Sequence, residues 1–267
     1  MRGWHALALA LMVAAPLLAA PAHADHTMLV CFPGGPGSTT DASERLRAFF
    51  ARLQEVSGLQ VKGEYHNTRE ACDRYIKDRS PTIAMFPYAE LVARHEALKL
   101  VPVAQVTRQG RGDNRYYVVA KKGTALDALK GKALMTAVGA DLPVISKVGF
   151  GAKLDVEAHF QVKPVATALK AIKALAKGEV DAALLDANEY KSLQSLPNAS
   201  ELEAVATSDP LPGAPVVVMG EGAAIAGKLR EALPKVCEDA KACEAIEVER
   251  IAPADLSAFQ AILSLGK

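Results

Sequence analysis

Between residues 27 and 96, short apolar runs alternate with longer stretches in which apolar residues recur every three or four positions. The first pattern suits buried strands and the second suits helices with one apolar face. It predicts strands at 27–32, 59–65 and 81–86, and helices at 39–57, 68–78 and 88–96. Such alternation builds a largely parallel sheet flanked by helices. "LVPVAQVTRQGRGDNRYYVVAKKG" then reads as two strands joined by the turn Arg108 to Asn114. From Ala125 the pattern restarts, with a short helix and strand in "ALDALKGKALMTA", a helix at 142–150, a strand, a helix at 165–176, a strand at 179–185 and a further helix. A proline-glycine stretch at Pro210 to Pro215 precedes the apolar "VVVMG", and helices fill 223–239 and 253–264. A chain that leaves one α/β unit and later returns to it has the plan of two hinged lobes. The predicted lobes are 25–115 with 216–267, and 116–215, with crossings on strands 116–120 and 214–219.

Residues 1–24 fall outside that pattern. One positive charge (Arg2), an apolar stretch from Ala6 to Ala20 and the small-x-small end Ala22-His23-Ala24 read as a signal peptide cleaved before Asp25. The apolar stretch is short for a membrane span of roughly 20 residues. The remaining chain is expected in the periplasm. Losing Arg2 from 31 basic residues leaves as many cations as the 30 acids, so the charge balance gives no case for nucleic acid or an anionic membrane surface.

Four cysteines, Cys31, Cys72, Cys237 and Cys243, survive that cleavage, and in an oxidising compartment they are expected to pair. Three pairings are possible; the economical one joins Cys31 to Cys72 and Cys237 to Cys243. On one unbroken helix Cys237 and Cys243 would lie about 9 Å apart. That exceeds disulfide reach, so the local bond requires a break near Asp239 to Lys241. Neither C-x-x-C nor H-E-x-x-H occurs, and no metal or cofactor is implied.

A weak internal repeat points to a cleft. "CDRYIKDRSPTIAMFP" and "AIKALAKGEVDAALLD" both run helix, turn, strand, which places Phe86-Pro87 and Asp186 at equivalent strand ends. Ligands of open α/β sheets bind outside such ends. Phe32, Phe86, Tyr88, Tyr116 and Tyr117 stand at strand ends or hinge entries, where aromatic faces line clefts. Thr68 and Arg69 open a helix, Thr68 as a cap and Arg69 either as an oxyanion clamp or as a solvated face residue. In "LVCFPGGPGSTTDASERLRAFF", Gly35-x-Gly37 lacks the third glycine of a dinucleotide fingerprint and no G-K-[ST] follows. Ser38, Thr39 or Thr40 can cap the helix there.

Three segments together resemble the phosphate/phosphite/phosphonate-type periplasmic solute-binding proteins of ABC importers: "NRYYVVAKKGTALDALKGKALMTA", "ALKAIKALAKGEVDAALLDANEYKSL" and "SDPLPGAPVVV". The resemblance covers roughly residues 27 to 235. It implies a type II periplasmic-binding fold, two α/β lobes closing on a small molecule that is delivered to inner-membrane transporter components. It also implies that the loop from Phe32 and Pro33 to Ser38 faces the ligand. Where the family carries a serine/threonine-rich turn for anion oxygens, this chain has "MTAVGADLPVIS". Only Thr136, Gly139 and the more distant Ser146 remain as polar or permissive positions, and Asp141 would repel an anion. A dianion buried without several donors is strongly disfavoured. The anion site therefore reads as eroded, and a lipid or sterol becomes an alternative ligand.

The ligand-binding set is thus Phe32, Pro33, Thr68, Arg69, Phe86, Tyr88, Tyr117, Thr136, Gly139 and Asp186. No G-x-S-x-G elbow, zinc motif or paired-carboxylate spacing argues for an enzyme. A monomeric binding protein is the expectation, with a ligand-sensing partner of a membrane kinase as a further alternative.

Overall fold

The computed structural model describes residues 26–33, 38–197 and 199–266; the expected leader and Gly34 to Gly37 of the first loop lie outside them. The first unit runs β1 (His26–Cys31), α1 (Thr39–Ser57), β2 (Val61–His66), α2 (Arg69–Arg79), β3 (Ile83–Met85), α3 (Tyr88–Leu98) and β4 (Val101–Arg108). The second holds β5 (Tyr116–Lys121), β6 (Ala133–Thr136), α4 (Leu142–Val144) continued as a π-helix over Ile145–Phe150, α5 (Val156–His159) and β7 (Gln161–Pro164). It ends with α6 (Ala168–Ala176), β8 (Ala182–Asp186), α7 (Ala187–Gln194) and β9 (Leu202–Thr207). The chain returns through β10 (Ala214–Val218), α8 (Ala226–Val236), α9 (Ala240–Glu244), β11 (Val248–Pro253) and α10 (Leu256–Leu263).

Two sheets result, ordered β11-β4-β10-β3-β1-β2 and β7-β6-β8-β5-β9. β1 pairs parallel with β2 and β3, and β6 with β7 and β8, as the strand-helix alternation requires. The returning β10 and β11 run antiparallel to their neighbours. β5 belongs wholly to the second sheet and β10 to the first, so the crossings run through 109–115 and 208–213, just before the strands on which they were expected. A Cβ on Gly213 would meet the Val106 carbonyl oxygen at 2.4 Å, so the second crossing passes the first sheet at backbone contact.

Strand alternation sorts the core. Leu29, Cys31, Ala84 and Phe86 point to one face, Met28, Val30 and Ile83 to the other. The second face packs under α1 and α8 with Leu46, Leu53, Leu229 and Leu233. The first continues without a break into the other lobe, through Tyr116, Val118, Leu134, Phe150 and Leu184. The lobes therefore share one apolar core.

β9 and β11 were not anticipated. β9 is only half buried along most of its length, and β11 buries just Val248 and Ile251. As the outer strands of their sheets, they carry too little apolar signal. The helix expected over 223–239 is shorter: a 3-10 turn at Gly220–Ile225 precedes α8, and the chain breaks at Cys237 before α9. That break brings the Cα atoms of Cys237 and Cys243 to 5.4 Å and lets them bond; Cys31 bonds Cys72. The two bridges close loops of 41 and 6 residues, worth about 4 and about 2 kcal/mol by loop-closure entropy. Urea unfolding of Cys31→Ala/Cys72→Ala should accordingly show the larger stability loss, and Cys237→Ala/Cys243→Ala the smaller; the reverse ranking contradicts this.

Candidate functional site

β3 leads through Phe86, fully buried, into α3. The first residue of α3, Tyr88, is buried and donates its hydroxyl to the Pro212 carbonyl. It accepts from the Asn114 amide at 2.7 Å, and that amide also donates to Pro212 O at 2.8 Å. Asn114 lies in the left-handed region at φ 55°, which Asn tolerates better than most residues. One side chain of α3 thus ties the two crossings together. Burial pushes the Tyr88 phenol well above its ordinary pKa, so it stays a donor.

The start of α3 receives its cap from the other lobe. Pro87 supplies no side-chain cap, and Asp141 accepts from the Ala89 N–H at 2.8 Å. Its turn is made by Gly139 at φ 58°. Burial pushes the Asp141 carboxyl up to about 6, while the Ala89 N–H and Arg111 favour its charged form.

Three arginines are matched to carboxylates as well. Buried Glu90 accepts from Arg69, and from Arg94 at 2.7 Å. Arg111, from the first crossing, pairs with Asp186 at 2.7 Å. Asp186 also caps α7 by accepting from the Glu189 N–H at 2.9 Å, and Glu189 returns a bond to the Asp186 N–H. The α3 terminus, Arg69 and Arg111 each hold a carboxylate of the protein itself.

The expected ligand residues separate accordingly. Phe86, Tyr88, Thr136 and Asp186 are buried, and Thr136 spends its hydroxyl on the Leu184 carbonyl at 3.2 Å. Thr68 caps α2 by accepting from the Ala71 N–H. Arg69 serves Glu90. Tyr117 points into the far core of the second lobe, stacked on Tyr190 at 4.6 Å, and so away from the facing strand ends. Ser146 is buried and accepts from the Val156 N–H. Gly139 is exposed at the turn that carries Asp141, and Pro33 is partly exposed. Phe32 lines an apolar cavity and Asp186 a polar one.

The polar cavity, about 530 Å³, lies between Arg108–Arg111 of the first crossing and Asp186, Asn188 and Glu189 at the start of α7. The apolar one, about 200 Å³, lies at the carboxyl ends of β1 to β4 and the starts of β10 and β11. Arg108 and Glu247, paired at 2.8 Å, form a wall of both. Glu90, Asn114 and Arg111 were not singled out from sequence. The one signal available was a helix opening on proline without a Ser, Thr, Asn or Asp cap, which calls for an acceptor from elsewhere.

A family model described as "ABC transporter, phosphonate, periplasmic substrate-binding protein" matches residues 37–259. No curated protein matches the chain in sequence. Among solved structures, the binding-protein component of a phosphonate ABC transporter from Pseudomonas aeruginosa is 15% identical, with TM-score 0.55, over 90% of this chain and 84% of that one. A Xanthomonas citri protein bound to ATP is 14% identical, with TM-score 0.63, over 91% and 95%. PhnD1 of Prochlorococcus marinus in complex with methylphosphonate is 13% identical, with TM-score 0.60, over 90% and 97%. These likenesses show the type II periplasmic-binding fold.

The raised Asp141 pKa has a testable sign. An unfolded aspartate titrates near 3.9, so between about pH 4 and 6 the folded chain binds the extra proton, and this group's contribution to stability falls as pH rises. Asp141→Asn keeps an oxygen for the Ala89 N–H without the charge. In urea titrations it should match the parent near pH 4 and exceed it by on the order of 2 kcal/mol at pH 7.5. A variant less stable than the parent at pH 7.5 contradicts the assignment.

Proposed function

Since the chain belongs to the family of periplasmic substrate-binding proteins of phosphonate ABC transporters, we propose that it captures a small molecule and hands it to inner-membrane transporter components. We take the lobes to divide at the two crossings. The ligand is not a phosphonate held in the manner of an anion site.

One observation carries that second statement: the α3 terminus, Arg69 and Arg111 each already hold a carboxylate of the protein itself. Asp141 sits on the α3 terminus, Glu90 on Arg69, and Asp186 on Arg111. A phosphonate dianion would have to displace one of these carboxylates or be buried beside it, and like charges at that distance oppose both. The hydroxyl that resembled an anion ligand, Thr136, is committed to a backbone carbonyl. Transport does not require chemistry on the ligand.

A carrier of an apolar ligand is the second reading, favoured by the apolar cavity beside the first crossing. Its volume of about 200 Å³ is below the roughly 300–1,000 Å³ of drug-sized pockets, which speaks against a whole sterol.

Calorimetric titration of the stripped mature protein with methylphosphonate and with inorganic phosphate should give no binding tighter than about 1 mM. Native mass spectrometry of protein released gently from its own periplasm should show a noncovalent adduct without phosphorus. Micromolar binding of methylphosphonate would overturn the ligand reading, and protein that never carries an adduct, even when coexpressed with its transporter, would overturn capture.

A further inference from the structure

The apolar cavity combines two properties that nothing so far explains. Its lining includes Val30, Met85 and Val106 from the strand ends, Leu46 of α1, Ile246 just before β11 and Val248 at its start. An apolar cavity of about 150 Å³ stays dry and admits benzene. The present one, about 200 Å³ and open on one side, has room for one aromatic ring or a short alkyl chain.

The second property is a charge at its edge. Arg45, on the second turn of α1, lines the cavity, its side chain is exposed, and it makes no ion pair or hydrogen bond with the described residues. The other cation of the lining, Arg108, is held by Glu247 at 2.8 Å. Arg45 is therefore the guanidinium left available, in contrast to Arg69, Arg94 and Arg111, each held by an internal carboxylate.

An apolar recess with one unmatched guanidinium at its mouth is complementary to a molecule with an apolar body and one anionic end. The body leaves water, at roughly 25 cal/mol per Å² of apolar surface. The anionic end stays near solvent and accepts from the fork of N–H groups, so it avoids the full desolvation cost that a buried dianion would meet. A single negative charge suits one arginine.

We propose that this cavity binds a small amphipathic carboxylate, with one ring or a short alkyl chain among Val30, Met85, Val106 and Leu46 and the carboxylate on Arg45. The proposal rests on the reading that the protein captures a ligand, and it names the class. Aryl and alkyl carboxylates share this chemistry and differ in the shape of the body.

Calorimetry of the stripped mature protein with 3-phenylpropionate and with octanoate tests it, with octanol and octylamine as controls. At least one carboxylate should bind, and octanol and octylamine at least tenfold more weakly. Whichever carboxylate binds more tightly tells ring from chain. Arg45→Glu should weaken the carboxylate at least tenfold, Arg45→Lys less, and Ala42→Phe, which places a ring in the cavity wall, should abolish binding. Arg45 is exposed, so the thermal midpoints of its variants should stay at the parent value. Octanol binding as tightly as octanoate, carboxylate binding indifferent to both Arg45→Glu and Ala42→Phe, or no binding of either carboxylate would overturn the proposal. Failure of the two readings is distinguishable. A native adduct lacking an apolar body leaves capture intact and removes this ligand class. Carboxylate binding with the predicted variant effects, without delivery to inner-membrane components in vesicle uptake, leaves the site and removes transport.

Discussion

A single carboxylate from the second lobe, Asp141, closes the open end of a helix in the first, and the arrangement of the whole interlobe face follows from it. A helix that begins after proline has N–H groups that need acceptors and a positive end that favours negative charge. In α3 no local side chain meets that need, and Asp141 does so at 2.8 Å. Around this contact Tyr88 ties Asn114 to Pro212, and the apolar core runs from Leu29 and Phe86 to Phe150 and Leu184 without interruption. Lobes of this kind have little reason to separate when empty.

The same economy recurs at each donor. Glu90 answers Arg69 and Arg94, and Asp186 answers Arg111. Burying a paired charge is tolerable where burying a lone one is not, so removing either member of a pair is costly. An incoming dianion competes with all of them at once. Space is left instead on the other side of the first sheet, among α1, the strand ends and Ile246 to Val248. The Arg108–Glu247 pair separates that apolar space from the polar cavity between the lobes.

The elements that set the fold were legible because they repeat a strong pattern. β1, β2, β3 and their helices alternate in apolar period, and the three family-like segments fell where the second sheet and the return strand lie. The edge strands β9 and β11 were not legible, since a strand paired on one side and half exposed needs few apolar residues. At the site, the few hydroxyls between Thr136 and Ser146 and the acid at Asp141 stand in the sequence itself. That Asp141 caps a helix 52 residues earlier in the chain was not legible, because a contact at such separation leaves no local spacing to detect. Arg69 illustrates the general difficulty: a guanidinium that can clamp an oxyanion looks the same in sequence whether the oxyanion belongs to a ligand or to Glu90.

The central claim is that the lobes are held together by the protein's own groups. Spin labels at exposed Glu96 in the first lobe and Lys147 in the second, read by double electron–electron resonance on stripped protein, measure it most directly. The account predicts one narrow distance distribution at pH 7.5, unchanged when periplasmic extract is added and broadened in Asp141→Ala. A broad distribution in the stripped parent that narrows only with extract would contradict it.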